Sequence, residues 1–447
     1  MQVRIADRID RSPIGGFQLR TVFLCGLVAL LDGLDVQTMA LVVPTLADAW
    51  DEPKASFGPV LSSSFAGLMI GALAGGLLGD RFGRRVVLIL AFLTVGIASI
   101  LTASAGSHAE LIVWRLFTGL GIGACMPNFT VLTAEYIPAH RQAFFITLLY
   151  SAIPVGGIVG GMLAPIVIAA WGWQAVFILS GAIPLAIAAV LFLGLPESPR
   201  FLAGKGDRPE RLGAILERID PTYRYAADHV FLVEDTVKGP PLPALFAAGR
   251  ALHTVLLWLI LFCSLAGFYL LTSWLPTLLA REGWSNFDAA QSVSYFFFGG
   301  VIGCIIVGWL IDRYGPFHVL TAIFLSNAAL IALLGLAPAS YATLIAIIAV
   351  TGLFLSAAQT GTMVLAARVY PTAIRSTGVG WGLGIGRIGA VLSPLLGGAA
   401  IAADWSREAF FLTAALPAIV SAMAVLALGR SVSAAGTRSP SAAQAGA

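Results

Sequence analysis

Twelve apolar segments recur along the chain, and each is long enough to cross a bilayer, which needs ~20 residues of helix. Only 11% of the residues are charged, whereas soluble proteins carry about 25%. The sequence therefore predicts an all-α polytopic membrane protein with twelve transmembrane helices. The segments cover residues 21–47, 57–79, 86–105, 109–136, 143–170, 174–195, 251–280, 288–312, 317–337, 340–368, 377–403 and 407–430.

One long polar interval, Pro196–Arg250, divides the segments into two groups of six. This spacing predicts two six-helix bundles, over 1–195 and 251–430, joined by a central loop over 196–250. A helical charge pattern over Pro209–Arg218 predicts a short surface helix within that loop. The last residues, 431–447, are rich in Ser, Ala and Gly and are predicted to be a disordered tail.

Basic residues predict the orientation of the chain in the membrane, because Lys and Arg collect on the cytoplasmic side. With the N-terminus inside, only Lys54, Arg281 and Arg407 fall in external loops, and Arg115 and Arg387 fall within helices. All other Lys and Arg residues are then internal. We expect both termini to be cytoplasmic.

An internal repeat relates the two predicted bundles. The run Gly76–Gly83 (GLLGDRFG) matches Gly308–Gly315 (GWLIDRYG), and each run closes the second helix of its half. Parallel repeats of this kind are typical of transporters that bind substrate near the bilayer midplane between two halves. The repeat predicts two pseudo-symmetric bundles.

Two carboxylates lie near the middle of the first segment, at Asp32 and Asp35. A charge at such a depth costs ~2.5–3.5 kcal/mol on insertion scales, so ionisable residues there are functional candidates by default. Their spacing places them on one face of a helix, where one carboxylate favours protonation of the other. We interpret them as a proton-coupling or substrate site, with simple snorkelling or structural pairing as the alternative.

Three more charged residues within or at the ends of helices are candidates for the same site. Arg115 opens the fourth segment ahead of a run of glycines, and either snorkels to the interface or faces the transport cavity. Glu135 lies at the inner end of that segment and either pairs with Arg141 or titrates during transport. Arg387, in the eleventh segment, is predicted at the depth of Asp32 and Asp35, where it would bind one of them or a substrate carboxylate.

The loops that follow the second and eighth segments predict a cytoplasmic gate. Glycines permit a tight turn, and the acidic and basic side chains beside them can form ion pairs that hold one face closed. The second copy lacks the arginine pair of the first, so the gate is expected to be asymmetric. The gating candidates are Gly79, Asp80, Arg81, Gly83, Arg84, Arg85, Asp312 and Arg313.

These motifs resemble a known family. The run from Gly76 resembles the loop 2–3 signature of the major facilitator superfamily, and Pro196–Leu202 (PESPRFL) resembles a signature of its sugar and organic-ion porters. Asp32–Asp35 (DGLD) and Ser273–Leu279 (SWLPTLL) are similar to motifs of its aromatic acid:proton symporter family, which includes 4-hydroxybenzoate and benzoate permeases of bacteria. The resemblance implies a major facilitator fold and a required role in transport for Asp32 and Asp35.

The resemblance implies proton-coupled uptake of an aromatic carboxylic acid, a hydroxybenzoate or benzoate, across the bacterial inner membrane. A proton on Asp32 or Asp35 would weaken that group's hold on Arg387, which would then bind the substrate carboxylate. Aromatic residues of the seventh and eighth segments, with Tyr150, Asn128, Gln359 and Trp381, are candidate cavity liners. The partners expected are a small organic anion, protons and the lipid bilayer, and the protein is expected to act as a monomer.

Other interpretations of the sequence stay open. The protein could carry a non-aromatic acid of the muconate type or another organic ion, or it could be a drug-efflux antiporter or a transporter-like receptor. Drug antiporters usually carry a Gly-Pro pair in the fifth helix, whereas Pro165 here follows Ala164. We expect no enzyme activity and no metal, because the five histidines and four cysteines have no ligand spacing. We also expect no cofactor and no nucleic-acid partner.

Overall fold

Helices make up nearly all of the protein in the computed structural model, which describes residues 2–205, 209–220, 222–226, 230–232, 242–247, 250–338, 340–370 and 372–437. The described part of the first half contains one short helix and six long ones before the central segment. They are α1 (Ile5–Arg11), α2 (Gly16–Trp50), α3 (Gly58–Phe82), α4 (Arg84–Ala103), α5 (His108–Tyr136), α6 (Ala139–Trp171) and α7 (Trp173–Gly194). The central segment contributes α8 (Pro199–Lys205) and α9 (Pro209–Ile219).

The second half is also helical and repeats the order of the first. Its helices are α10 (Ala251–Arg281), α11 (Asn286–Tyr314), α12 (Pro316–Leu336), α13 (Tyr341–Val369), α14 (Thr372–Ala402), α15 (Arg407–Ala414) and α16 (Leu416–Thr437). α16 continues past the predicted end at 430, so the first seven residues of the predicted tail belong to a helix. The rest of the predicted tail, 438–447, lies outside the described residues.

The twelve predicted transmembrane segments are confirmed. Eleven helical stretches of the described residues are long and apolar enough to cross a membrane by themselves. The twelfth span is α2, which follows α1 after a bend of 102°. The protein is therefore a multi-pass membrane protein, with leucine, isoleucine and phenylalanine side chains exposed along the outer faces of its helices.

Glycines allow α3 and α5 to cross in backbone contact. A Cβ at Gly67 would collide with the carbonyl oxygen of Leu116, and a Cβ at Gly119 would collide with that of Ser64. Small residues of this kind let two helices approach closely in a membrane. The glycines that follow Arg115 in the sequence are thus explained by helix packing.

The same crossing recurs between α11 and α13 of the second half. A Cβ at Gly299 would collide with the carbonyl oxygen of Ala349, and a Cβ at Gly352 would collide with that of Phe296. Each half also turns after its second helix at a glycine with positive φ, Gly83 at 99° and Gly315 at 81°. The internal repeat of the sequence is therefore a repeat of backbone geometry.

The central segment packs against the N-terminus of the chain. α9 lies where the charge pattern predicts a helix, and it buries Leu212, Leu216 and Ile219. β1 (Gln2–Arg4) pairs in parallel with β2 (Val230–Leu232). Arg8 of α1 forms an ion pair with Asp220 at 3.4 Å. A hydrogen bond from Thr222, together with Arg8, holds the pKa of Asp220 below its ordinary value.

The chain divides into two compact units. One contains most of the first half and the central segment as far as β2. The other contains the second half together with Val43–Ser62, the C-terminal end of α2 and the start of α3. Within this second unit, Ser62 Oγ donates a hydrogen bond to the carbonyl of Val391 at 2.8 Å. The domain boundaries expected from the sequence stay a prediction.

Candidate functional site

A buried ion pair joins α2 to α5 inside the first unit. Arg115 NH1 lies 3.6 Å from Asp35 Oδ2, and the two residues are 1% and 5% exposed. Removing one partner of such a pair costs ~3–5 kcal/mol, because it leaves an uncompensated charge in a region of low dielectric constant. Asp35 and Arg115 therefore depend on each other.

Three hydroxyl groups surround the guanidinium of Arg115. Its NH2 group donates to Ser99 Oγ at 3.1 Å, to Thr102 Oγ1 at 3.1 Å and to Thr118 Oγ1 at 2.9 Å. Ser99 Oγ in turn donates to Asp35 Oδ1 at 3.4 Å, so it bridges the two charges. The ring of Phe177 lies 5.0 Å from the Arg115 guanidinium carbon and covers its other side.

This geometry contradicts the snorkelling alternative for Arg115, and its role in the transport cavity stays a prediction. Its side chain is buried against α2 and α4, so it does not snorkel to the membrane interface. Ser99, Thr102 and Thr118 were not predicted as its partners. The sequence signal that could have found two of them is the spacing of Ser99 and Thr102, which places two hydroxyls on one face of an otherwise apolar helix.

Asp32 lies one turn before Asp35 on α2 and is 4% exposed. The glycine between them, Gly33, has a packing role, because a Cβ there would collide with the carbonyl oxygen of Ile153 on α6. Gly156 on α6 likewise faces the carbonyl oxygen of Leu30. The pattern DGLD thus combines two buried carboxylates with the glycine that brings α6 against this stretch of α2.

Arg387 belongs to the second unit, where it lies on α14 and is half-buried. The glycines beside it pack against α10. A Cβ at Gly389 would lie 2.6 Å from the carbonyl oxygen of Phe262, and a Cβ at Gly386 would lie 3.1 Å from that of Leu261. The predicted role of Arg387 in binding a carboxylate stays a prediction.

The loop between α3 and α4 centres on Arg84. Its NH2 group lies 2.8 Å from Asp80 Oδ1 and 3.6 Å from Glu135 Oε1. Its NH1 group donates to Ser198 Oγ at 3.4 Å. One arginine therefore ties the end of α3 to the end of α5 and to the segment before α8. This network occupies the position predicted for the gate.

Glu135 takes part in this network and not in an ion pair with Arg141. Its carboxylate accepts a short hydrogen bond from Ser198 Oγ in addition to the contact with Arg84. Arg115 and Glu135 lie near opposite ends of α5, so the helix separates Glu135 from the Asp35–Arg115 pair. The gating assignment suits Glu135 better than the substrate-site assignment does.

The remaining residues of this loop have distinct surroundings. A Cβ at Gly79 would collide with the amide of Asn128, which is buried and donates to the carbonyls of Gly75 and Ala124, both at 2.8 Å. Asn128 is therefore a packing residue and not a cavity liner. Arg81 lies over the ring of Phe82 at 5.3 Å.

Glu197 of the PESPR run contacts the loop between α3 and α4. Its carboxylate accepts the backbone N–H of Arg85 at 3.1 Å and that of Ser198 at 2.9 Å. The positive φ of Gly83 brings that residue against the Glu197 carboxylate, where a Cβ would collide. The structural role predicted for the PESPR run agrees with these contacts.

The second copy of the gate motif has a simpler ion pair. Asp312, at the end of α11, lies 2.7 Å from Arg368 NH2 of α13. Arg313 lies over the rings of Trp309 and Tyr314, at 5.6 and 5.5 Å. The signs of the charges thus differ between the halves. In the first half, Arg84 at the start of α4 meets Glu135 of α5, and in the second half Asp312 at the end of α11 meets Arg368 of α13.

Four aromatic residues of α10 and α11 pack against one another: Phe268, Tyr269, Phe296 and Phe297. Phe268 contacts Phe296 and Phe297 edge to face, with ring centroids 5.7 and 6.2 Å apart, and all three are buried. Trp274 is fully buried and donates its Nε1–H to the carbonyl of Pro394 at 3.0 Å. These rings stabilise the second unit, so they are weaker candidates for a substrate stacking site than the sequence suggested.

The described part of the chain contains neither a group of metal-ligand residues nor paired cysteines. No group of three or more His, Cys, Asp or Glu residues there is arranged to hold a metal ion. Cys25, Cys125, Cys263 and Cys304 are free thiols within helices. The buried charged groups are therefore the chemically distinctive residues of the described chain.

Comparison with known proteins agrees with this architecture. The sequence matches the profile of the Major Facilitator Superfamily over residues 25–338. It is 38% identical to the gallate transporter of Pseudomonas putida, covering 96% of this chain and 95% of that protein. It is 37% identical to the 4-hydroxybenzoate transporter PcaK of Pseudomonas aeruginosa, covering 94% of each chain.

Among solved structures, a D-xylose-proton symporter has the same fold with a TM-score of 0.72 at 19% sequence identity. The match covers 92% of this chain and 97% of that one. The profile match spans well over half of the chain, and the two bacterial relatives match it nearly from end to end. The protein belongs to the Major Facilitator Superfamily of membrane transporters.

Proposed function

We propose that the protein takes up an aromatic carboxylic acid, a hydroxybenzoate or benzoate, together with a proton. The names of its relatives, a gallate transporter and a 4-hydroxybenzoate transporter, support the substrate class. The observation that carries the coupling is the buried pair of Asp35 and Arg115, with its shell of hydroxyl groups. The proposed location is the bacterial inner membrane, with both termini cytoplasmic.

The coupling step follows from the dependence of the two charges on each other. A proton on Asp35 removes the charge that compensates Arg115, and Ser99, Thr102 and Thr118 still accept its N–H groups. The uncompensated guanidinium then favours a substrate carboxylate. Substrate and proton thus raise each other's affinity, as coupled binding requires.

Two further residues complete the proposal. Asp32 is the second carboxylate that can hold a proton, one turn from Asp35 on the same helix. Arg387 is proposed to contribute to binding of the substrate carboxylate. Transport then proceeds by alternating access, and Arg84, Glu135 and the rest of the loop network open and close the cytoplasmic side.

The test is uptake of labelled 4-hydroxybenzoate and benzoate into proteoliposomes, with and without an inward proton gradient. The wild type should accumulate substrate only with the gradient. Asp35→Asn should abolish accumulation but keep exchange of substrate across the membrane at zero gradient, because the neutral side chain imitates the protonated state. Asp51→Asn, an exposed aspartate at the end of α2 whose positive φ asparagine also tolerates, is the matched control and should behave as wild type.

Three outcomes would contradict the proposal. Uptake by the wild type that ignores the proton gradient would indicate a facilitator. Gradient-driven accumulation by Asp35→Asn would remove its coupling role. Uptake of muconate-type acids without competition by either aromatic acid would reassign the substrate to the non-aromatic alternative.

A further inference from the structure

A cavity of about 660 Å³ opens at the end of the first unit that carries the loop between α3 and α4. The ends of α2, α3, α4 and α7 form one side of it, and α8 and α9 form the other. The cavity is separate from the Asp35–Arg115 pair, and none of its lining residues belongs to that site. Its walls contain a strong excess of positive charge.

Five basic residues line the cavity, against a single carboxylate, that of Glu197. The Glu197 carboxylate is already held by two backbone N–H groups. No ion pair formed by the described residues includes any of the five basic side chains. The cavity therefore presents five cations that form no ion pair with a carboxylate in the described part of the chain: Arg20, Arg85, Lys205, Arg211 and Arg218.

Existing contacts hold Arg20, Lys205 and Arg218 in place without neutralising them. Arg20 NH2 donates to the carbonyl of Gly194 at 3.0 Å. Lys205 Nζ lies 5.2 Å from the ring centre of Phe201, and the Arg218 guanidinium lies 5.5 Å from that of Phe17. Carbonyls and rings thus orient the donors while leaving their charge available to an anion.

The rim of the cavity is apolar, and its side chains are exposed on the surface of the protein. Leu193 is 83% exposed and Phe192 is 63% exposed, both at the end of a membrane-spanning helix. Exposed apolar side chains at this level lie where lipid chains meet the headgroup region. A soluble anion would contact only the basic wall, whereas a phospholipid would contact the basic wall and the apolar rim together.

We propose that this cavity binds an anionic phospholipid of the cytoplasmic leaflet. Its phosphate would accept hydrogen bonds from the arginines and Lys205, and its acyl chains would lie along Phe192 and Leu193. Basic pockets at the cytoplasmic ends of transmembrane helices are suited to such headgroups. The lipid would bridge α8 and α9 to the start of α4, next to the Arg84 network.

The test compares binding of phosphatidylglycerol and of phosphatidylcholine to the purified full-length protein by native mass spectrometry. The wild type should bind phosphatidylglycerol more tightly. Arg211→Ala with Arg218→Ala removes two cations from α9, outside the membrane spans, and should weaken that binding about thirtyfold while leaving phosphatidylcholine unchanged. Lysine at both positions keeps the charge and should retain most of the binding.

The matched control removes two exposed arginines that do not line the cavity, Arg11→Ala with Arg141→Ala, and should leave both affinities unchanged. Equal binding of the two lipids by the wild type would overturn the proposal. An equal loss in the control would too, since it would indicate diffuse surface charge. If inorganic phosphate displaces the lipid at equal concentration, the apolar rim contributes nothing and the site is one for a soluble anion.

Discussion

The two halves of the protein share one helix crossing but differ in the charge placed beside it. In the first half, Gly67 of α3 faces the carbonyl of Leu116, and Arg115 precedes that residue. In the second half, Gly299 of α11 faces the carbonyl of Ala349, and Ile348 precedes that residue. The corresponding positions therefore hold a buried arginine in one half and a buried isoleucine in the other.

The partner of the arginine differs in the same way. Gly76 and Gly308 are equivalent positions of the repeat. Asp35 precedes Gly76 by the same number of residues as Gly267 precedes Gly308. The position of Asp35 therefore holds a glycine in the second half. The crossing thus forms with or without an ion pair beside it. Because a buried pair is weak evidence for stability, we infer that the first half keeps its charges for transport, and that the glycines alone account for the shared geometry.

The largest expected effect comes from giving the first half the residues of the second. Arg115→Ile leaves Asp35 charged and buried, and should lower the free energy of unfolding by about 3–5 kcal/mol. Adding Asp35→Ala should restore most of that loss, since neither charge of the pair remains. The double variant should fold but fail to accumulate substrate, as measured by unfolding and by proteoliposome uptake.

The matched change in the second half is Ile348→Leu, which conserves volume and should cost less than about 1.5 kcal/mol. A double variant that transports like the wild type would show that the pair serves folding alone. A double variant less stable than Arg115→Ile would contradict the mutual dependence of the two charges.

The glycine crossings should respond alike in both halves. Gly67→Ala and Gly299→Ala each force a Cβ into a carbonyl oxygen, and each should cost about 1–3 kcal/mol of unfolding free energy. Gly76→Ala and Gly308→Ala are the matched controls, because nothing lies within 4 Å of a Cβ at either position. The controls should gain up to about 1 kcal/mol from helix propensity. A loss confined to one half would break the structural equivalence.

The smallest expected difference concerns the ion pairs of the two repeated loop motifs. Arg84 has three side-chain partners and is largely buried, so Arg84→Ala should cost about 1.5–3 kcal/mol. Arg368 pairs with Asp312 in an exposed position, and Arg368→Ala should cost less than about 1 kcal/mol. Thermal unfolding of the two variants measures the difference. Equal losses would show that the network around Arg84 adds nothing to a simple surface pair.

Much of the fold was predictable because it depends on hydropathy and length. Segments of bilayer-spanning length predicted every transmembrane helix, and the repeated loop motif predicted the equivalence of the halves. The three-residue strands β1 and β2 were not predicted, since so short a pairing carries no periodic signal. The continuation of α16 to Thr437 was missed because Ser- and Ala-rich sequence is compatible with both a tail and a helix.

The candidate site was predictable in its members but not in its pairings. Charge in an apolar segment marked Asp32, Asp35 and Arg115 as candidates, because such residues are costly in a bilayer. Their depth along the helices then suggested Arg387 as the partner of a carboxylate. Depth says nothing of the direction in which a side chain points around its helix.

The sequence by itself determined the number of spans, the duplication of the halves and the identity of the buried charges, because each is a property of local composition and order. Only the tertiary structure decided that Asp35 pairs with Arg115, that Ser99 bridges them, and that Glu135 meets Arg84. These contacts depend on how each helix is rotated about its axis. That rotation is set by close crossings such as Gly67 on Leu116 and Gly33 on Ile153, which residues distant in the sequence create together.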